Sequence, residues 1–242
     1  TPLSNRTLRR YRMATLTNGD KPIEIALRRS AQARRLSLRV SSLDGRVTLT
    51  LPARMREAEG LAFARSREDW IRAALSRLPP VQAVSLGTAL PVEGREVRLI
   101  AGPPRGAVTR LGDTLAVPGD PALAGRRVAV WLKFLAQERL TLACARHEAA
   151  LGRSRSRLVL RDTRSRWGSC SAAGVLMFNW RLVMAPPEVL DYVAAHEVAH
   201  LAEMNHSPRY WAVVKRLMPG YAEPRQWLKS QGTFLHGWRF DG

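Results

Sequence analysis

An α+β protein is predicted, in which a smaller β-rich N-terminal region with one helix (residues 1–118) precedes a second domain (residues 119–242) built around a buried helix. Three observations predict it. Short runs of strand formers separated by glycine and proline fill most of the first half. A long amphipathic stretch spans about 121–151, and the apolar run 191–201, DYVAAHEVAHL, carries two histidines at helical spacing. At 242 residues with 45% hydrophobic content, the chain can build one substantial core or two small ones.

Strand signals run from Ile23 to Leu27, Arg35 to Val40 and Arg46 to Leu51, and the Asp44 and Gly45 pair marks a hairpin because such a turn needs residues that accept positive φ. Between Met55 and Leu78 one helix is expected, with Phe63, Trp70, Ile71, Ala74, Leu75 and Leu78 on its apolar face and Pro79 and Pro80 ending it. Short strands follow between Val84 and Val117. The long helix comes next, from about Pro121 to Leu151; its most apolar part, Val128 to Ala145, is broken by Lys133, Glu138 and Arg139, so no membrane span is expected. Leu158–Arg161 and Val175–Val183 read as strands, the second leading through Ala185, Pro186 and Pro187 into the apolar helix. This second strand should border a cleft and offer its edge to an extended peptide, which main-chain hydrogen bonds can hold without side-chain specificity. Trp167 to Cys170 form the glycine-containing turn before it, with Trp167 expected as a packing anchor and Cys170 as a buried thiol.

His196, Glu197 and His200 form the pattern H-E-x-x-H inside that helix. Residues four apart lie one turn above each other, so both imidazoles can reach one metal ion, and Glu197 beside them is placed to take a proton from water at the metal. With only five histidines in the chain, chance is a poor explanation. A helix that merely carries two surface histidines is a poor one too. Val193, Ala194, Val198, Ala199 and Leu201 make the segment apolar, and buried polar groups need partners.

Catalytic zinc takes three protein ligands and keeps a fourth position open. His206 and Glu203 compete for the third. Glu203 shares the face but lies two turns from His196, whereas His206 follows Asn205 and precedes Ser207 and Pro208, a helix stop and a new helix start, so the chain turns there. The interval from His196 to His206 equals that of the metzincin signature, although Glu203 stands where metzincins have glycine. His147 is expected on an exposed helix face, His236 in a C-terminal tail, and Tyr192 in core packing.

The segments RSRWGSCS (164–171), GVLMFNWRLVMA (174–185), PPEVLDYVAAHEVAHLAEMNHSPRYW (186–211) and PGYAEPRQWLKSQG (219–232) stand in an order that resembles the YgjP-like metal-dependent hydrolase family, related to the SprT and Spartan proteases. The likeness covers about Leu158 to Gly232 closely and the N-terminal half more loosely. It implies a zincin-like metallopeptidase domain with Zn2+ on His196, His200 and His206, Glu197 as catalytic base, and a peptide or protein substrate. Arg166, Trp167 and Asn179, around the cleft, are the candidates for substrate contact. A nucleoside triphosphate pyrophosphohydrolase using the same metal and base is the alternative; a nucleic-acid-associated protein with a structural zinc, which needs a closed metal sphere, is the other.

Charge bears on those alternatives. The formal net charge is +19, yet residues 187–242 hold six acidic and six basic residues, so the excess lies upstream, in Arg6 to Arg12, Arg28 to Arg39 and Arg153 to Arg166. Such surfaces suit nucleotide or nucleic-acid phosphates. Composition offers a plainer account, since 35 of the 39 basic residues are arginine. Cys144 and Cys170 make no disulfide framework, and residues 1–20 show no apolar leader, so a cytoplasmic protein is expected.

Overall fold

The computed structural model describes residues 12–17, 22–41, 45–76 and 81–241; Arg6, Arg9, Arg10, Asp44, Leu78, Pro79 and Pro80, singled out in the sequence, lie outside them. The chain forms two compact units, Thr1–Pro80 and Val81–Gly242.

In the first unit, β1 (Arg12–Leu16), β2 (Ile23–Ser30), β3 (Ser37–Val40) and β4 (Val47–Pro52) form one sheet in the order β1-β2-β4-β3, with β2 and β4 parallel. Period-two alternation sets its faces: Val47, Leu49 and Leu51 are buried while Thr48 and Thr50 are less so. Two helices cover the buried face, α1 (Glu57–Arg65) and α2 (Glu68–Ser76), where the sequence predicts one. Local hydrogen bonds make the break. Ser66 Oγ donates to Phe63 O at 2.8 Å, Arg67 N–H turns back to Ala64 O at 3.1 Å, and Glu68 and Asp69 then suit the positive start of a new helix. Within α2 only Ile71 is buried, and Trp70, expected on the apolar face, is 50% exposed.

The second unit opens with β5 (Gln82–Ala83), β6 (Ala89–Val92), β7 (Arg95–Ala101), β8 (Thr109–Leu111) and β9 (Thr114–Val117), the last four forming a sheet in the order β6-β7-β9-β8. A 3-10 turn capped by Asp120 leads into α3 (Ala124–Leu151). Then come β10 (Arg157–Arg161), β11 (Gly168–Cys170) and β12 (Val175–Asn179), followed by α4 (Pro187–Ala199), α5 (Pro208–Leu217), α6 (Ala222–Gln231) and β13 (Trp238–Arg239), which pairs with β5. Leu90, Val97, Leu99 and Leu115 of the β6–β9 sheet share one core with Val128, Leu132 and Leu140 of α3 and with Val193 and Val198 of α4. An apolar sheet face needs a covering layer, and α3 supplies it. Residues 82–117 therefore lie in the second unit, whereas the sequence places the step at 118.

The strand expected over Val175–Val183 stops at Asn179. Its side-chain oxygen accepts from Arg181 N at 2.9 Å, which turns Trp180–Met184 into a 3-10 segment, and the buried Arg181 guanidinium pairs with Asp162 at 2.8 Å and donates to the carbonyls of Leu235 and Trp238. Sheet order corrects a second expectation. The order β10-β12-β11 makes β12 the central strand, parallel to β10 and antiparallel to β11, so its edges are already paired. β11 is an edge strand instead, and it lies against α4. Among the described residues, no helix is long and apolar enough to cross a membrane.

Candidate metal centre

Helix α4 begins with Pro187 at its first turn, where the missing N–H costs nothing. Val189, Leu190, Tyr192, Val193, Ala194, Ala195, Glu197, Val198 and Ala199 are all buried, so the helix runs through the interior rather than along a surface. Asp191 ties it to α3: its carboxylate accepts from His147 Nε2 and from Arg146, each at 2.9 Å. Burial works to raise the Asp191 carboxyl, but the His147 hydrogen bond and the Arg146 charge hold it below the ordinary carboxylate value. His147, expected on an exposed face, is only 6% exposed and belongs to this tie.

The helix closes in tight turns, with Leu201 N–H on Val198 O at 2.9 Å and Ala202 N–H on Ala199 O at 3.0 Å. The chain reverses over residues 201–206, and Ser207, accepting from Tyr210 N, starts α5 with Pro208 at its first turn. That reversal carries His206 back until its Nε2 is 3.2 Å from His196 Nε2. His196, His200 and His206 each offer a ring nitrogen within 4.8 Å of the others. Glu203 contributes by its main chain: its carbonyl accepts from His200 Nδ1 at 3.0 Å, which leaves the lone pair on His200 Nε2. Cys170 is not in the group; its Sγ bonds Ser171 O at 3.4 Å, and burial and then Glu197 push its thiol up.

Tyr210 lies beneath all three imidazoles. Its ring centroid is 5.3 Å from His196, 4.5 Å from His200 and 4.7 Å from His206, and its hydroxyl donates to His196 O at 3.0 Å. Trp211 adds a second wall, 6.0 Å from His196 and from His206. Tyr192, packed edge-on to His196 at 5.8 Å, is buried as expected of a core residue. Sequence reasoning misses Tyr210, although its place one helical turn after His206 is the signal that could find it.

Glu197 is 4% exposed, one residue on from His196. Burial pushes its carboxyl up to about 8, with the Arg166 charge pulling the other way. Gly168 of β11 lies so close that a Cβ there would stand 2.6 Å from Glu197 Cγ and 2.7 Å from Cδ, besides striking Oε1. Glycine is what lets strand and carboxylate meet. Gly168→Ala is therefore expected to lower any catalysis that uses Glu197 by about a hundredfold, the scale of a misplacement of roughly 1 Å, with metal content retained. Kinetics with metal analysis check this, and wild-type activity would refute the contact.

The other candidates divide. Arg166 is exposed and close enough for its charge to act on Glu197. Trp167 is half-buried, its ring tilted against that of His236 at 4.8 Å and resting near Gly232, so it anchors the C-terminal 3-10 segment that carries His236. Asn179 is fully buried, with Nδ2 on Thr163 O at 2.7 Å and Oδ1 on Arg181 N; it presents no surface to a substrate. Of the arginines of 153–166, Arg155 is already paired with Glu148, at 2.7 Å.

Three nitrogens bound tetrahedrally at about 2.0–2.1 Å would lie about 3.4 Å apart, and the His196 to His206 approach of 3.2 Å matches that. Burial, then His200 and His206, lower His196 to about 3, so it is held as the neutral ligand form. His196 Nδ1 is buried and has no hydrogen-bond partner among the described residues. The donor set fits a small divalent cation of zinc type.

Residues 34–231 match a family model described as YgjP-like, metallopeptidase domain. No curated protein matches the chain. Among solved structures, the metallopeptidase zymogen of Pyrococcus abyssi abylysin aligns with 40% of this chain and 95% of its own length, at 24% identity and a TM-score of 0.33.

Proposed function

Because the chain belongs to the YgjP-like metallopeptidase family, we propose that it is a zinc-dependent peptidase with a zincin-like site, in which His196, His200 and His206 hold the metal and Glu197 is the general base. The observation that carries this reading is the return of His206 to 3.2 Å from His196, with Glu197 buried beside the same group. Zinc bound there supplies Lewis acidity, which makes water acidic near neutral pH and polarises a carbonyl.

The chain's own groups do the rest. Glu197, buried beside the three imidazoles, takes the proton of the attacking water and returns it to the departing amine. Tyr210 and Trp211 wall the imidazoles, and the Glu203 carbonyl holds the His200 tautomer. An extended peptide can pair with the edge of β11, whose Gly168 touches Glu197, so main-chain hydrogen bonds would set a scissile amide beside the base. This edge favours a peptide over a nucleotide. Three ligands, rather than four, among the described residues favour a catalytic over a structural metal.

Zinc-loaded protein is expected to cleave an unstructured polypeptide, to stop on chelation and to resume when zinc is restored. Mass spectrometry of the products and a parallel assay for pyrophosphate release check this. Pyrophosphate release from nucleoside triphosphates with no peptide cleavage would overturn the reading.

A further inference from the structure

A cleft of about 570 Å³ opens on His200 and is lined by Arg153, Ser154, Ser171, Gly174, Leu201 and Met204 among others. Its walls are tied in place. Ser156 N–H bonds Gly174 O at 2.9 Å, Ser156 Oγ bonds Ala173 O at 2.8 Å, and Gly174 N–H closes the 171–174 turn on Ser171 O at 2.9 Å. Across from that turn, α3 ends at Gly152 in the left-handed conformation, φ 73°, and the next residue is Arg153. The Arg153 guanidinium donates to Leu201 O at 2.7 Å, which anchors it at the residue following His200.

Charge gives the cleft a sign. Arg153 is the one charged residue in the lining, which contains no aspartate or glutamate, and Ser154 and Ser171 add hydroxyls. A guanidinium has five N–H donors; Leu201 O engages one nitrogen, so the fork keeps donors for a carboxylate. Because the cleft starts at a residue of the metal group and an extended peptide advances about 3.3–3.6 Å per residue, a side chain bound there belongs to a residue within one or two of the scissile bond.

From this geometry we infer that the cleft is a specificity subsite for an aspartate or glutamate side chain of the substrate, read by Arg153. The inference rests on the peptidase reading above. Zinc-loaded wild-type protein should cleave peptides with glutamate at one position near the scissile bond with a kcat/KM about five- to tenfold above the glutamine isostere, a gap that shrinks as salt rises. Arg153→Gln, which removes the charge, should erase that ratio through KM, and Arg153→Glu should turn the preference toward lysine or arginine. Equal cleavage of the two peptides by wild type, or an unchanged ratio in Arg153→Gln, overturns the subsite. Calorimetric titration of the glutamate and glutamine peptides into zinc-loaded protein decides it independently. Tighter binding of the glutamate peptide that Arg153→Gln abolishes would uphold the subsite even if no peptide were cleaved, and that second result would count against the peptidase reading alone.

Discussion

Glu197→Gln is expected to lower kcat/KM for peptide hydrolysis by about a thousandfold or more with zinc stoichiometry unchanged, because a positioned general base contributes about 10²–10⁴. Glutamine keeps the shape and removes only the proton acceptor. Folding should tolerate the change, since a carboxyl 4% exposed and pushed up to about 8 sits where a neutral group is at ease. Steady-state kinetics, metal analysis and a thermal melt on the same preparation separate lost chemistry from lost structure. Full activity in the zinc-loaded variant would remove Glu197 from the mechanism.

His206→Ala is expected to weaken zinc binding by more than about a hundredfold, since even a group that only orients a ligand is worth about 10- to 100-fold in affinity. Activity at limiting zinc should fall with it. The two histidines left, His196 in α4 and His200 at its C-terminal cap, lie one turn apart on one face and cannot by themselves enclose an ion. Competition against a chelator measures the affinity, and a melt gives a second readout: zinc should raise the wild-type Tm far more than that of the variant, because a ligand stabilises only as its concentration exceeds its Kd. Wild-type affinity in His206→Ala would pass the third position to another residue, with Glu203 first in line.

How much of this is legible in the chain follows from the range of each interaction. The opposition of His196 and His200 on one helical face is a local matter, decided by 3.6 residues per turn. The start of α4 at Pro187 and of α5 at Ser207 and Pro208 is equally local. Side chains that bond nearby backbone are local too, yet they defeat periodicity: Ser66 divides the helix expected over 55–78, and Asn179 stops the strand expected to reach Val183.

The sequence by itself determines an α+β chain with a buried H-E-x-x-H helix, a turn able to return His206, and a charge excess kept upstream of them. Only the tertiary structure decides that β11 rather than β12 is the edge beside Glu197, that Gly168 touches that carboxylate, that Tyr210 lies under the three imidazoles, and that His147 is buried against Asp191. The physical reason is that, apart from Tyr210 and His206, which are four apart, these contacts join residues 10 to 44 positions apart or set the order of strands. No helical or strand period links such positions. They are chosen by which faces must be covered and which buried polar groups must find partners.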